Sequence, residues 1–549
     1  MNTIIKVFSI QDITKIYNEI LGHQINESSI DSVTFLELGG DSMMAIDAAH
    51  RIMKAARSKK GLNLTKNQII TANDLFENTI SSIYNHIMNG KDGLMLQQSP
   101  KRPRYNKDNH LGTTSTPLPN VTIFHETYPD NQEMTVAWKL PLQMCVDARP
   151  ITIPIAPTKG LDVIVVGSQG GDIVVADASS GKALCRMNVK GKIEGEMSFL
   201  KTSICTNNGK RNRFIIFVCS YDIQPSSLKN GHLQRFGYVH AFEVVSNDIH
   251  DGCTTNSNIS VTLLALWQYK VGGELKNKPI VFSLQKRQNE QHRIIIGSYD
   301  GSVTYLDAVT GIVLDTLDGG SLGGAIHADI VLSMDENPNK TEIMHTKVFV
   351  ASSTWTGTIS CILVKPKTLC ILWQVNIGSP IYSTPLLSKK CKNVIIFAID
   401  GSIRSIDEKS GKEIWVNNIA NRPIFSGGCN ISLMNESFIV FGCHDGFMRC
   451  VTLETGDEKW KLDLGSAILG TPQYVCGSNM IVATTSAGTI CSIDPLSGIK
   501  DKAIALGGEV FSSPCTTHCI SEYKNGSKNV EETFVFVGCR DSFMYKVWL

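Results

Sequence analysis

The chain has 549 residues, 42% of them hydrophobic and 19% charged, with a formal net charge of +1. That length exceeds one compact core and calls for several domains or a repeat architecture, and the composition excludes wholesale disorder. The near-neutral charge excludes a global field that would draw in nucleic acid or an anionic membrane, and no apolar run approaches the roughly 20 residues of a membrane-spanning helix.

The N-terminal stretch MNTIIKVFSIQDITK has Asp12 inside its apolar run and no small-residue cleavage site, so it does not read as a signal peptide. Sixteen cysteines are scattered through apolar segments (Cys219, Cys361, Cys450, Cys491), as small buried hydrophobes in a reducing compartment are. A cytoplasmic protein is expected.

Asp12 to Leu21 predicts a helix with Ile13, Ile16, Tyr17 and Ile20 on one face and Gly22 ending it. A loop follows, then Phe35-Leu36-Glu37-Leu38-Gly39-Gly40-Asp41-Ser42-Met43-Met44. From Ser42 to about Arg57 the sequence is rich in helix formers, with Met44, Ala48, Ile52 and Ala55 near helical spacing. Ala72 to Glu77 predicts a short third helix, and Thr79 is a candidate cap for a fourth from Ile80 to Met88.

A serine at a helix N-terminus, behind paired glycines, faces unpaired backbone N–H groups that suit an attached phosphate. The segment resembles the Leu-Gly-Gly-x-Ser core motif of acyl and peptidyl carrier domains, and the resemblance covers residues from roughly 8 to 90. It implies a four-helix carrier bundle over 1–90 with 4′-phosphopantetheine attached to Ser42 by a phosphopantetheinyl transferase. Asp41 matches the family's acidic residue before the serine, Gly40 belongs to the loop, and Met43 stands where leucine is usual. An ordinary N-cap is the structural alternative for Ser42.

Residues 91–133 lose periodicity and gain Pro, Ser, Thr, Asn and Lys, which predicts a flexible linker. Within it Lys101-Arg102-Pro103-Arg104 reads as incidental charge on a solvated tether, with a nuclear-import signal as the alternative.

The remainder, 134–549, repeats one element: apolar strand, a tight turn containing Asp-Gly, an alternating strand, then Asp and a Thr/Ser-Gly turn. Clear copies run from Val163 to Gly181, Arg293 to Gly311, Val394 to Gly411, Phe438 to Gly456 and Met480 to Gly498. Weaker ones begin at Phe214, with an insertion before Tyr238, at Val348, where Trp355-Thr356-Gly357 replaces Asp-Gly, and at Phe534. Following strands often bear Trp (Trp267, Trp373, Trp415, Trp460), and preceding strands resemble Ile381-Tyr382-Ser383-Thr384-Pro385 and Val510-Phe511-Ser512-Ser513-Pro514. Four strands per unit predict a β-propeller of eight blades, or seven if the inserted unit packs differently. The unclaimed strand Met134 to Leu140, bearing Trp138, is expected to complete the last blade and close the ring.

The Trp-bearing strands and Asp-x-x-Thr-Gly turns resemble the propellers of pyrroloquinoline quinone (PQQ) dehydrogenases. In that family a tryptophan and a disulfide of adjacent cysteines hold the quinone beside a calcium ion. This chain has no adjacent cysteines, so no PQQ is expected. Cys515, His518 and Cys519 straddle one strand without a second zinc-like cluster, so they read as buried residues rather than metal ligands. Neither a Gly-x-Ser-x-Gly elbow, a Walker loop nor a His-Glu-x-x-His helix occurs, and no catalytic centre is visible.

A carrier segment followed by a PQQ-type propeller resembles the C-terminal part of the family of β-alanine-activating enzymes, also called acyl-CoA synthetase family member 4. In that family an adenylating domain precedes the carrier and loads it. No such domain is found here, so it is expected in trans or missing from the gene model. The resemblance implies a carrier of acyl or aminoacyl thioesters, with the propeller docking an unknown acceptor protein or small molecule. A PQQ-dependent dehydrogenase and a non-catalytic interaction scaffold are the alternatives.

Overall fold

The computed structural model describes residues 9–21, 24–25, 42–58, 75, 80–89, 122–123, 133–156, 161–206, 209–225, 233–246, 260–284, 291–334, 346–434, 436–522 and 529–549. The chain divides into two units, Met1–Leu118 and Pro119–Leu549.

The first unit contains α1 (Ile10–Leu21), α2 (Ser42–Ser58) and α3 (Ile80–Asn89). The carboxylate of Asp12 accepts the backbone N–H of Ser9 at 2.7 Å, which caps α1. Ile13, Tyr17, Ala48, Ile52, Ile80, Ile83 and Ile87 are wholly buried in one cluster, as helical periodicity requires. Asp47 is also buried, and it holds Arg51 at 2.7 Å one turn on.

Among the described residues the expected four-helix carrier bundle is not present: they are nearly all β, with three short helices. The predicted third helix, Ala72 to Glu77, falls almost entirely outside the described residues. Of it only Leu75 lies within the described residues, and it joins the shared core. The mixed α and β assignment is corrected accordingly.

Eight antiparallel sheets make up the second unit. Blade 1 comprises Ile151–Ala156, Leu161–Gly167, Asp172–Asp177 and Ala183–Asn188. Blade 2, the extended one, has strands of 17 and 14 residues at Gly209–Pro225 and Leu233–Ser246, flanked by Ser198–Thr206 and Val261–Val271. Blades 3 to 7 start at Ile280, Val331, Leu386, Gly428 and Gln473. Blade 8 takes Cys515–Glu522, Asn529–Gly538 and Phe543–Trp548 from the far end of the chain. Thr135–Pro141 pairs with the last of these as the outer strand, and Thr122–Ile123 adds a fifth. Eight blades, closed by an N-terminal strand, therefore form the ring.

One apolar cluster fills each boundary between consecutive blades, eight in all, including the closing boundary of blade 8 with blade 1. Strands buried on both faces produce this pattern. Val163–Val166 and Asn393–Phe397 are continuously buried, and residues such as Val163 and Ile164 pack into opposite boundaries. A register shift falls between the third and outer strand of every blade and twists the outer strand.

The conserved spacing of Trp and Gly within the repeats has a direct packing cause. Each outer-strand Trp indole donates its N–H to a carbonyl in the turn of the next blade. The acceptors are Ser179 for Trp138, Ala308 for Trp267, Glu408 for Trp373, Leu453 for Trp415 and Pro495 for Trp460. Its ring lies against the glycine of that turn: a Cβ on Gly411, whose φ is +71°, would sit 2.8 Å from Trp373. Gly is required there by both the backbone conformation and the approach of the indole. Trp138 makes the same contact with Gly181, joining blade 8 to blade 1. The carboxylate of Asp407 accepts the backbone N–H of Ser410 at 2.7 Å and fixes such a turn.

Candidate functional site

Ser42 is the first residue of α2, and Met43 follows it in the helix. Gly40 and Asp41 lie outside the described residues. Cys515 is buried at the start of the inner strand of blade 8, and burial raises its thiol pKa. His518 and Cys519 occupy the same strand, and no metal-holding group of three His, Cys, Asp or Glu occurs among the described residues.

A second site was only partly visible in the sequence. The segments preceding each blade, expected to be strands like Ile381–Pro385, are instead short extended connections outside the ladder. Proline at the fifth position (Pro150, Pro279, Pro385, Pro472, Pro514) has no N–H to donate to a sheet. Their first residues, Val146, Ile193, Leu275, Ile326, Ile381, Ile424, Ile468 and Val510, are wholly buried. The third residues are buried too, and several bind the adjacent sheet: Ser383 Oγ donates to the Phe397 carbonyl and Ser426 Oγ to that of Gly442, both at 2.7 Å.

The second and fourth residues face the other way and are mostly half-buried. The fourth positions touch in succession around the propeller. Arg149 meets Glu196 at 3.5 Å, and Glu196 meets Lys278 at 2.7 Å. The backbone N–H of Lys278 donates to Asp329 at 2.7 Å, and the Thr384 hydroxyl bonds Asp329 in turn. The backbone N–H of Gly427 donates to Thr471 Oγ1 at 3.0 Å, and that of Thr471 to Ser513 Oγ at 2.8 Å. Ser512 Oγ reaches the Ala148 carbonyl at 3.2 Å and returns the circuit to blade 1. A Cβ on Gly427 would lie 3.5 Å from the Thr384 carbonyl, so the contacts run over all eight blades, encircle the axis and place these positions at its opening.

The second positions form another ring, one layer away. Asp147 pairs with Arg540 at 3.1 Å, Arg540 lies over the Phe511 ring at 3.8 Å, and Glu194 pairs with Lys276 at 3.5 Å. His327 then meets Tyr382 edge-on at 5.1 Å, and Tyr382 meets Phe425 at 5.9 Å. Both rings are thus charged across blades 1 to 3 and uncharged or small across blades 5 to 8.

Burial and the nearby Lys276 cation push the His327 pKa down to about 4, so its imidazole is neutral at pH 7. Burial alone would raise the Glu194 carboxyl, but Lys276 and the Tyr221 hydroxyl outweigh it and hold the pKa down. Burial lifts the Asp329 pKa, with Glu196 adding to the shift.

An eight-bladed β-propeller with PQQ-like repeats is the class of protein that this ring defines. Residues 399–502, spanning blades 5 to 7, match the family model described as outer membrane protein assembly factor BamB. Over 313 residues the chain is 25% identical to the β-alanine-activating enzyme of Drosophila melanogaster, covering 54% of this chain and 28% of the relative. The human β-alanine-activating enzyme is 31% identical over 116 residues, 20% of this chain and 9% of that protein. A quinoprotein alcohol dehydrogenase, PedH of Pseudomonas putida, is 38% identical over 74 residues, 13% of this chain and 11% of the relative. The chain is a partial homologue of β-alanine-activating enzymes and spans less than a third of the length of these relatives. No described helix is long and apolar enough to cross a membrane.

Proposed function

We propose that this chain is the carrying and docking part of an acid-activating system related to β-alanine activation. Ser42 accepts 4′-phosphopantetheine from coenzyme A through a phosphopantetheinyl transferase, and the arm's thiol holds an acyl or aminoacyl group as a thioester. An adenylating domain supplies the activated acid, and the propeller receives the acceptor protein or small molecule. The carrying observation is that Ser42, behind Leu38-Gly39-Gly40-Asp41, opens a 17-residue helix. Backbone N–H groups at such an end and the helix dipole favour a phosphodiester. The partial homology to β-alanine-activating enzymes supports the same reading.

In this scheme the serine hydroxyl attacks the β-phosphorus of coenzyme A, its proton leaves, and adenosine 3′,5′-bisphosphate departs. The propeller carries no quinone in this reading, since the sequence lacks the adjacent cysteines of the quinone-dependent enzymes. Incubation of the full chain with coenzyme A and a phosphopantetheinyl transferase is expected to add one phosphopantetheine by intact mass. The Ser42→Ala variant is expected to gain none. An unmodified wild type, or a modified variant, refutes the assignment.

A further inference from the structure

The fourth-position ring is not a balanced set of ion pairs. Arg149 and Lys278 share Glu196 as their carboxylate, at 3.5 and 2.7 Å. Asp329, the next acidic member, is biased towards its neutral form by burial. Donors also outnumber acceptors. Arg149 spends Nη2 on the side-chain Oε1 of Gln473 at 3.0 Å, while its buried Nε has no partner among the described residues. Lys278 has three N–H donors and gives one to Glu196. The hydroxyls of Thr471 and Ser513 each accept a backbone N–H, and no described acceptor takes their own protons.

Blades 7, 8, 1 and 3 therefore turn four donor groups towards one axial opening, two of them cationic. Arg149 and Lys278 keep about a third of their side-chain surface exposed, 31% and 30%, so that opening is accessible. Accessible donors that lack a protein acceptor are open to a ligand oxygen, and an oxyanion is the group that satisfies several at once.

The second-position ring adds a requirement. In extended chain, positions two apart on one face are about 6–7 Å apart along the chain. At that distance from Thr471 and Ser513 stand Leu469 and Phe511 of the same two segments, and His327, Tyr382 and Phe425 continue the uncharged arc on the three preceding segments. An inorganic anion would leave this arc unused, whereas an organic acid with an apolar body would cover it.

We propose that the axial opening of the propeller binds a small organic carboxylate, its oxygens between Arg149, Lys278, Thr471 and Ser513 and its apolar body against Leu469 and Phe511. The site owes nothing to Ser42, and a serine that accepts no arm would leave it standing.

Titration calorimetry of the full chain with hydrocinnamate at low salt tests the site, with hydrocinnamamide and inorganic phosphate as comparison probes. One molecule of hydrocinnamate is expected per chain, with the amide and phosphate at least tenfold weaker. Arg149→Gln and Lys278→Gln are each expected to weaken hydrocinnamate at least tenfold, and Lys278→Arg to restore most of it. Thermal unfolding of each variant establishes that the propeller is intact. The proposal is overturned by no heat with hydrocinnamate, by phosphate binding as tightly, or by unchanged affinity in folded Gln variants.

Discussion

The helical unit and the propeller are stabilised on different scales. The three helices share one small cluster, so each core residue there supports the whole unit. In the propeller eight clusters are arranged in series, and each blade is held from both sides. What this teaches is where damage spreads: through all of the first unit, but only to neighbouring blades in the second. The proposed attachment serine lies in the helical unit, and both axial rings lie in the propeller.

The most severe test of that contrast pairs Ile52→Ala with Trp138→Ala. Both residues are buried, and truncation at such sites costs about 2–5 kcal/mol. For Ile52→Ala, hydrogen exchange is expected to show loss of protection throughout α1, α2 and α3 and none in the blades. For Trp138→Ala, urea unfolding is expected to show a propeller weakened by about 3–5 kcal/mol, with exchange rising first in blades 8 and 1. Uniform loss across all eight blades would refute the serial picture.

Acid provides the next largest effect. His240, bonded to Ser220 Oγ at 2.9 Å, and His327 are both pushed down to about 4 by burial. An unfolded histidine titrates near 6.5, so between about pH 6.5 and 4 the unfolded chain binds more protons and stability falls as pH falls. Both groups belong to the propeller, so its urea midpoint should drop over that window, with Ser220 and Lys276 facing the two imidazoles. His240→Gln is expected to flatten part of the slope; an unchanged slope counts against burial as its cause.

Gly411→Ala should be milder, about 1–3 kcal/mol by urea unfolding, because the left-handed backbone and Trp373 both oppose a Cβ. Combining it with Trp373→Ala should relieve the steric part and leave the backbone part. Simple additivity would show that the indole is not what excludes the side chain.

Most of the propeller was legible because its signals are local. Asp400-Gly401 and Asp407 to Gly411 specify a hairpin and its return turn within a dozen residues. Trp and Gly also come in pairs across boundaries: blade 3 ends in Val313–Leu317 without Trp, and blade 4 turns at Lys365 to Thr368 without Gly. The axial rings were harder to see. They require comparing Arg149, Glu196, Lys278 and Asp329 with Thr384, Gly427, Thr471 and Ser513, positions that share a place in the fold but no chemistry. The helical region was over-read as a bundle because Leu38 to Ser42 is a loop-and-cap signal, which specifies where one helix starts and not how many helices pack together.

The closing blade has a consequence for synthesis. Cys145 meets the Arg540 carbonyl 395 residues further along the chain. A nascent polypeptide emerging from the ribosome thus carries the Trp138 strand without its blade 8 partner, Phe543–Trp548, until nearly the whole ring has been translated. Throughout that interval the growing arc exposes an uncovered apolar sheet face at each end, the condition under which chaperones are recruited and misassembly begins.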